Sequence, residues 1–188
     1  MSEPAGDRVS DRALVLYAIV RRASIEHALR EFGDDPLRIG QAERARDETN
    51  RWLAREGLAA AVADPERTLL EATSGAWPSL AIADGMWRKE GLGALLWGLR
   101  HVAVMPRLDD EFEVAVLNAR IEHYGSVSSF RANGSLRPAT EIEPAWLEAD
   151  AWFGATEGRE GRDATVASIS AERSRALGWL LDDARPLP

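Results

Sequence analysis

Arg88 and Glu90 stand inside the run "GMWRKEGLGALLWGL" (residues 85–99), and Glu172 and Arg173 inside "AERSRALGWLL", two strongly apolar stretches of the chain. Charges set among leucines and tryptophans can do three kinds of chemistry. A guanidinium can hold the anionic group of a ligand, a desolvated glutamate can move a proton, or the two can pair and lock helices together. Arg137 and Glu141, around "LRPATEI", add two more such residues. A lone buried ion costs on the order of several kcal/mol, so each of these charges is expected to find a partner. The expected network joins Arg88, Glu90, Glu141, Glu172 and Arg173. As a pocket it would also hold Arg137 and be lined by Trp87, Trp97, Trp152 and Trp179.

Other chemistry finds little footing. The chain has no cysteine, which removes disulfides, thiolate metal sites and a thiol nucleophile. His27, His101 and His123 lie far apart, without the spacing of a zinc motif, so no metal or cofactor is expected. The glycines of "EGLGALLWG" follow no strand and suit close helix packing better than a phosphate loop. Ser126 or Ser128 with His123 could form part of a triad, but such side chains coincide by chance in most chains. No residue is assigned as catalytic.

With a net charge of −8 and no cluster of cations, the chain is not expected to bind nucleic acid. Lys89 is the only lysine, and the arginine and alanine bias reads as codon usage. "ALVLYAIV" is far shorter than a membrane span, and no secretory signal is visible, so a cytoplasmic protein is expected.

The elements that must position these residues read as helices throughout. The expected fold is all-α, a single globular domain over 1–188 of six to eight helices around a central apolar helix at 79–105. Ser10 is expected to cap a helix over 11–31, with Leu14, Tyr17 and Ala18, Arg21, Ile25, and Ala28 and Leu29 following its spacing. A charged second helix opens near Pro36, turns Trp52 and Leu53 inward and stops at Gly57. Asp64 and Pro65 start a third, and Ser79 caps the central one. There Asp84 and Arg88 share a face at i,i+4.

Beyond it, helices are expected at 111–123 and 127–132, with "HVAVM" leaving room for a short strand. Thr140 and Glu143 propose a capping box before Pro144. The last helix is expected over 165–182, with Ser174 and Gly178 on its outer side. Residues 1–9 and 183–188 read as frayed ends, 158–164 as a mobile loop, and Trp77 as the tryptophan nearest solvent.

"WRKEGLGALLWGL", "LRPATEI", "ERSRALGWLL" and the weaker "WLAREGL…ERTLLE" together resemble domain of unknown function 4272, over roughly residues 14–181 and in the family's order. The resemblance implies a mainly helical fold and a bacterial distribution. It implies no activity, substrate or cofactor. Ser174 and Gly178 stand where the family's last motif has histidine and asparagine. The first functional expectation is a non-enzymatic helical binding or protein-interaction protein of accessory or immunity-like type. The second is a small-molecule-binding protein or enzyme with a charged pocket around Arg88 and Glu90.

Overall fold

The stretch from Ala13 to Val20 is buried on every face, and a helix apolar all round belongs in the middle of a fold. The computed structural model, which describes residues 5–33, 35–182 and 188, places it there, in helix α1 (Ala5–Phe32). Of the ends expected to fray, residues 1–4 and 183–187 lie outside the described set. Residues 5–9 are helical, and the Pro188 carbonyl accepts a hydrogen bond from Arg12 Nε at 3.0 Å. Ser10 is therefore no cap. It sits in the second turn of α1, wholly buried.

Eight α-helices and no strand are found among the described residues, so "HVAVM" is loop. The larger helices pack in the series α2 (Pro36–Arg55), α1, α4 (Ser79–Gly98), α8 (Arg162–Leu181), α7 (Ala139–Thr156). Short helices α3 (Asp64–Glu71), α5 (Val114–Glu122) and α6 (Val127–Asn133) fill the sides, α5 against α4 and α6 against α1. No helix among the described residues is long and apolar enough to cross a membrane.

Local signals explain several boundaries. Asp35 Oδ1 accepts the Leu37 amide at 3.0 Å and Pro36 opens α2. Gly57, at φ 73°, takes the left-handed turn just beyond its end. Other ends depart from expectation. Pro138 rather than Thr140 precedes α7, so the capping box does not form. Asp64 and Ser79 are first helical residues, after Ala63 and Pro78. Residues 162–164, placed in a loop by the glycines around them, begin α8.

The central helix ends at Gly98 and not near 105, because Arg100 adopts φ 63° and turns the chain back. The His101 and Val102 amides then both donate to the Leu96 carbonyl, at 2.9 and 3.2 Å. At Gly93 the Phe112 ring of loop 99–113 packs directly on α4, and a methyl group there would overlap it. Gly93→Ala should therefore cost about 1–3 kcal/mol of overpacking, more than the ~1 kcal/mol of helix propensity it gains. Denaturant unfolding checks this, and a more stable variant would show that the ring can step aside.

Candidate functional site

Glu90 and Arg173 meet between α4 and α8 with both side chains at 0% exposure. Arg173 Nε and Nη2 donate to Glu90 Oε2 at 2.9 and 2.7 Å. The remaining Nη protons go to loop 99–113: Nη1 to the Pro106 and Arg107 carbonyls at 2.6 and 3.1 Å, Nη2 to the Asp110 carbonyl at 2.7 Å. Glu90 Oε1 accepts the Phe112 amide at 3.0 Å, and the guanidinium lies over the Phe112 ring at 4.8 Å. All five donors of the arginine are engaged. Burial pushes the Glu90 carboxyl above its ordinary range, opposed by Arg173 and the Phe112 amide.

The other expected members do not join this pair. Arg137 and Glu141 form a second cluster at the start of α7. Arg137 Nη1 donates to Glu141 Oε2 at 2.7 Å and Arg100 Nη2 to Glu141 Oε1 at 3.1 Å. These arginines hold the exposed Glu141 carboxyl below its ordinary range, Arg137 more strongly. Arg137 also donates to the Trp97 carbonyl at 2.8 Å and covers the Trp97 ring at 4.5 Å. Glu172 pairs with Arg175 on its own helix, and its Oε2 is buried without a partner. Arg88 is half-buried and forms no pair with Asp84 among the described residues. The single expected network is thus two separate clusters, a neighbouring pair and a lone arginine.

The tryptophans divide as well. Trp179 is buried beneath Arg8, Trp87 and Trp97 are half-buried, and Trp152 on α7 is 42% exposed. Trp77 is the reverse of expectation at 1% exposed, with Nε1 donating to the Leu69 carbonyl at 2.9 Å. Ser174 and Gly178 are also buried, because α8 is enclosed by both α4 and α7. Ser174 Oγ donates to Asp150 Oδ1 on α7 at 3.1 Å.

Two further buried pairs lie on α1, outside the expected set. Arg12 grips Glu66 with two hydrogen bonds, Nη1 to Oε2 at 2.7 Å and Nη2 to Oε1 at 2.6 Å. Arg22 Nη2 and Glu26 Oε1 are 2.6 Å apart and almost wholly enclosed. Burial lowers the Arg22 pKa, while Glu26 and Glu43 oppose the change. The Glu26 carboxylate accepts the Gly75 amide at 3.0 Å and the Trp77 amide at 3.3 Å. Glu43 Oε1 accepts the Ser74 amide at 2.6 Å and Arg30 Nη2 donates to the Trp77 carbonyl at 3.1 Å, so four acidic or basic side chains strap down loop 72–78. The i,i+4 spacing of Arg22 and Glu26, beside the buried Ala23, was the available signal.

Among the described residues a cleft of about 370 Å³ opens between α1, α2, α5 and α6. Leu14, Tyr17, Ala18, Ile121, Val127 and Phe130 supply its apolar surface, with Tyr17 set edge-on to Trp52 at 6.2 Å between ring centres. Arg21, Glu48, Arg55 and Glu122 stand exposed around it. The Tyr17 hydroxyl donates to Glu122 Oε1 at 3.1 Å and accepts from Arg21 Nη1 at 3.4 Å; burial, the largest influence, raises its pKa. Ser126 Oγ accepts the Ser129 amide at 3.1 Å, so it works as the N-cap of α6. Leu14, Tyr17, Ala18 and Arg21 belong to the helical stripe read from the sequence, although no site was expected there.

Behind the cleft, His101 Nδ1 lies 2.7 Å from the Tyr124 hydroxyl and its ring stacks on Phe130 at 4.3 Å. Burial holds the His101 pKa below its ordinary 6.5. Between these two values the unfolded chain binds a proton that the folded one refuses, so stability falls as pH drops through that window. His101→Phe should flatten the pH dependence of the unfolding free energy below pH 6.5, by up to about 1.4 kcal/mol per pH unit. An unchanged slope would mean that the imidazole titrates normally. No group of three or more His, Cys, Asp or Glu among the described residues could hold a metal ion.

Comparison with known families covers the same ground as this architecture. The model of a domain of unknown function, DUF4272, matches residues 3–185, from α1 through α8. The chain belongs to the DUF4272 family. The DUF4272 match thus takes in both walls of the cleft and both partners of each buried ion pair. No curated protein and no solved structure matches the chain.

Proposed function

We propose that this DUF4272 member is a non-enzymatic binding protein that holds a segment of another protein in the cleft between α1, α2, α5 and α6. The observation that carries the reading is the composition of that cleft. An aromatic and aliphatic floor is ringed by exposed charges of both signs, the anatomy of a protein-binding surface with an apolar centre and a polar rim. Its volume falls within the ~300–1,000 Å³ typical of ligand pockets. A polypeptide segment, with apolar side chains and charges of both signs, suits such a lining.

The alternative, a ligand pocket around Arg88 and Glu90, has less support. Arg173 spends every donor on protein acceptors, and Glu90 is closed off from solvent.

The test is quantitative affinity purification from the native cell with the intact chain and with Trp52→Ala. Trp52 is half-buried at the cleft, so the variant should stay folded. A protein recovered by the intact chain should fall by about tenfold or more with Trp52→Ala. Equal recovery by both, or turnover of a small substrate by the purified protein, would contradict the proposal.

A further inference from the structure

Helix α7 packs on α8 and buries only Ile142, Ala149 and Thr156 of its 18 residues. At ~100° per residue these three form one narrow line down the helix. The arc opposite that line carries Thr140, Pro144, Leu147, Ala151, Gly154 and Ala155, all exposed and all uncharged. A helix with one buried stripe ordinarily puts its charges opposite it. Here the charges lie along the two borders instead: Glu143 and Asp150 on one side, Glu141 and Glu148 on the other, with Trp152 beyond them. The helix has no lysine or arginine. Arg137 and Arg100 neutralise Glu141, whereas Glu143 and Glu148 have no ion-pair partner among the described residues.

We infer that the outer face of α7 is a second interaction surface, whose partner is an amphipathic helix of another protein with arginine or lysine bordering its apolar stripe. Leu147 is the one large side chain on an arc otherwise of small residues, which lets a facing backbone approach closely on either side of it. The unneutralised carboxylates on both borders then meet cations from the partner. The same carboxylates argue against the other occupants. A symmetric contact between two copies would set Glu143, Glu148 and Asp150 against their equivalents, and an anionic bilayer would repel them. This surface is on the helix at the opposite end of the packing series from α2 and does not rest on the cleft reading.

The probe is a fluorescein-labelled helical peptide of 18 residues with leucine and alanine on one face and arginine along both borders. Its anisotropy is measured against the full chain. Saturable binding that weakens with added salt is expected. Ala151→Arg, which places bulk and positive charge on the arc, should weaken it by about tenfold or more. The double change Glu143→Lys with Glu148→Lys should do the same, and it also serves if Ala151→Arg lowers the unfolding midpoint. Glu31→Lys with Glu71→Lys, equal in charge and located elsewhere, should stay within about twofold. The inference is overturned by no saturable binding, by equal losses from both charge pairs, or by a dimer in light scattering that Ala151→Arg dissolves.

Discussion

Glu90→Ala should destabilise the fold by about 3–5 kcal/mol, because it strands a fully buried guanidinium. The effect reaches further than the pair. Arg173 ties the Pro106, Arg107 and Asp110 carbonyls to α8, and Glu90 holds the Phe112 amide. Loss of the carboxylate therefore also loosens loop 99–113. Burial raises the pKa of Glu90, opposed by Arg173 and the Phe112 amide. Its titration favours the fold most at low pH, and that contribution is lost as pH rises through the folded value, above the ordinary 4.5.

Through these hydrogen bonds the pair ties α4, α8 and the loop together. Glu90→Ala combined with Arg173→Ala should cost less than the two single losses summed, since the orphan charge is gone. Urea unfolding of the four proteins measures this. Additive losses would mean that the two side chains act independently.

Glu26→Ala is the second large effect expected, again about 3–5 kcal/mol, with a different signature. Arg22 loses its buried partner, and the Gly75 and Trp77 amides lose their acceptor. The indole of Trp77 sits in the core beside Gly85, so its loop cannot lift without opening the contact between α1 and α4. Amide exchange should accelerate in residues 72–78 before it does so in α8. By contrast, the partly exposed Arg46–Glu43 pair is worth at most about 1 kcal/mol, so Arg46→Ala should leave the loop protected. Uniform acceleration across the chain after Glu26→Ala would show that the carboxylate does not act through this loop.

These two sites differ in how far the sequence disclosed them. Glu90 and Arg173 break apolar stripes, so their burial and need for partners could be read directly. Which charges would meet depended on the crossing of α4 and α8, and the reading joined five residues where the fold separates them. Arg22 and Glu26 lie in a stretch of α1 whose mixed polarity resembles an ordinary surface turn of helix. Nothing local shows that loop 72–78 folds over them.

Trp77 misled for the same reason. A tryptophan before proline in a polar loop reads as exposed until the Glu26 carboxylate, from a distant part of the chain, is seen to hold its backbone. Helix content followed from periodicity, but ends such as Gly98 depended on Arg100 and on the loop that Arg173 holds. The cleft takes its walls from four helices spread across residues 14–130, so no single stretch of sequence announced it.

A photo-reactive residue placed at Thr49, on the cleft, and separately at Arg107, beside the buried Glu90–Arg173 pair, compares the two candidate sites in the native cell. The account predicts one discrete protein adduct from position 49, lost with Trp52→Ala, and none from position 107. An adduct at 107 alone, or an adduct at 49 indifferent to Trp52, would contradict it.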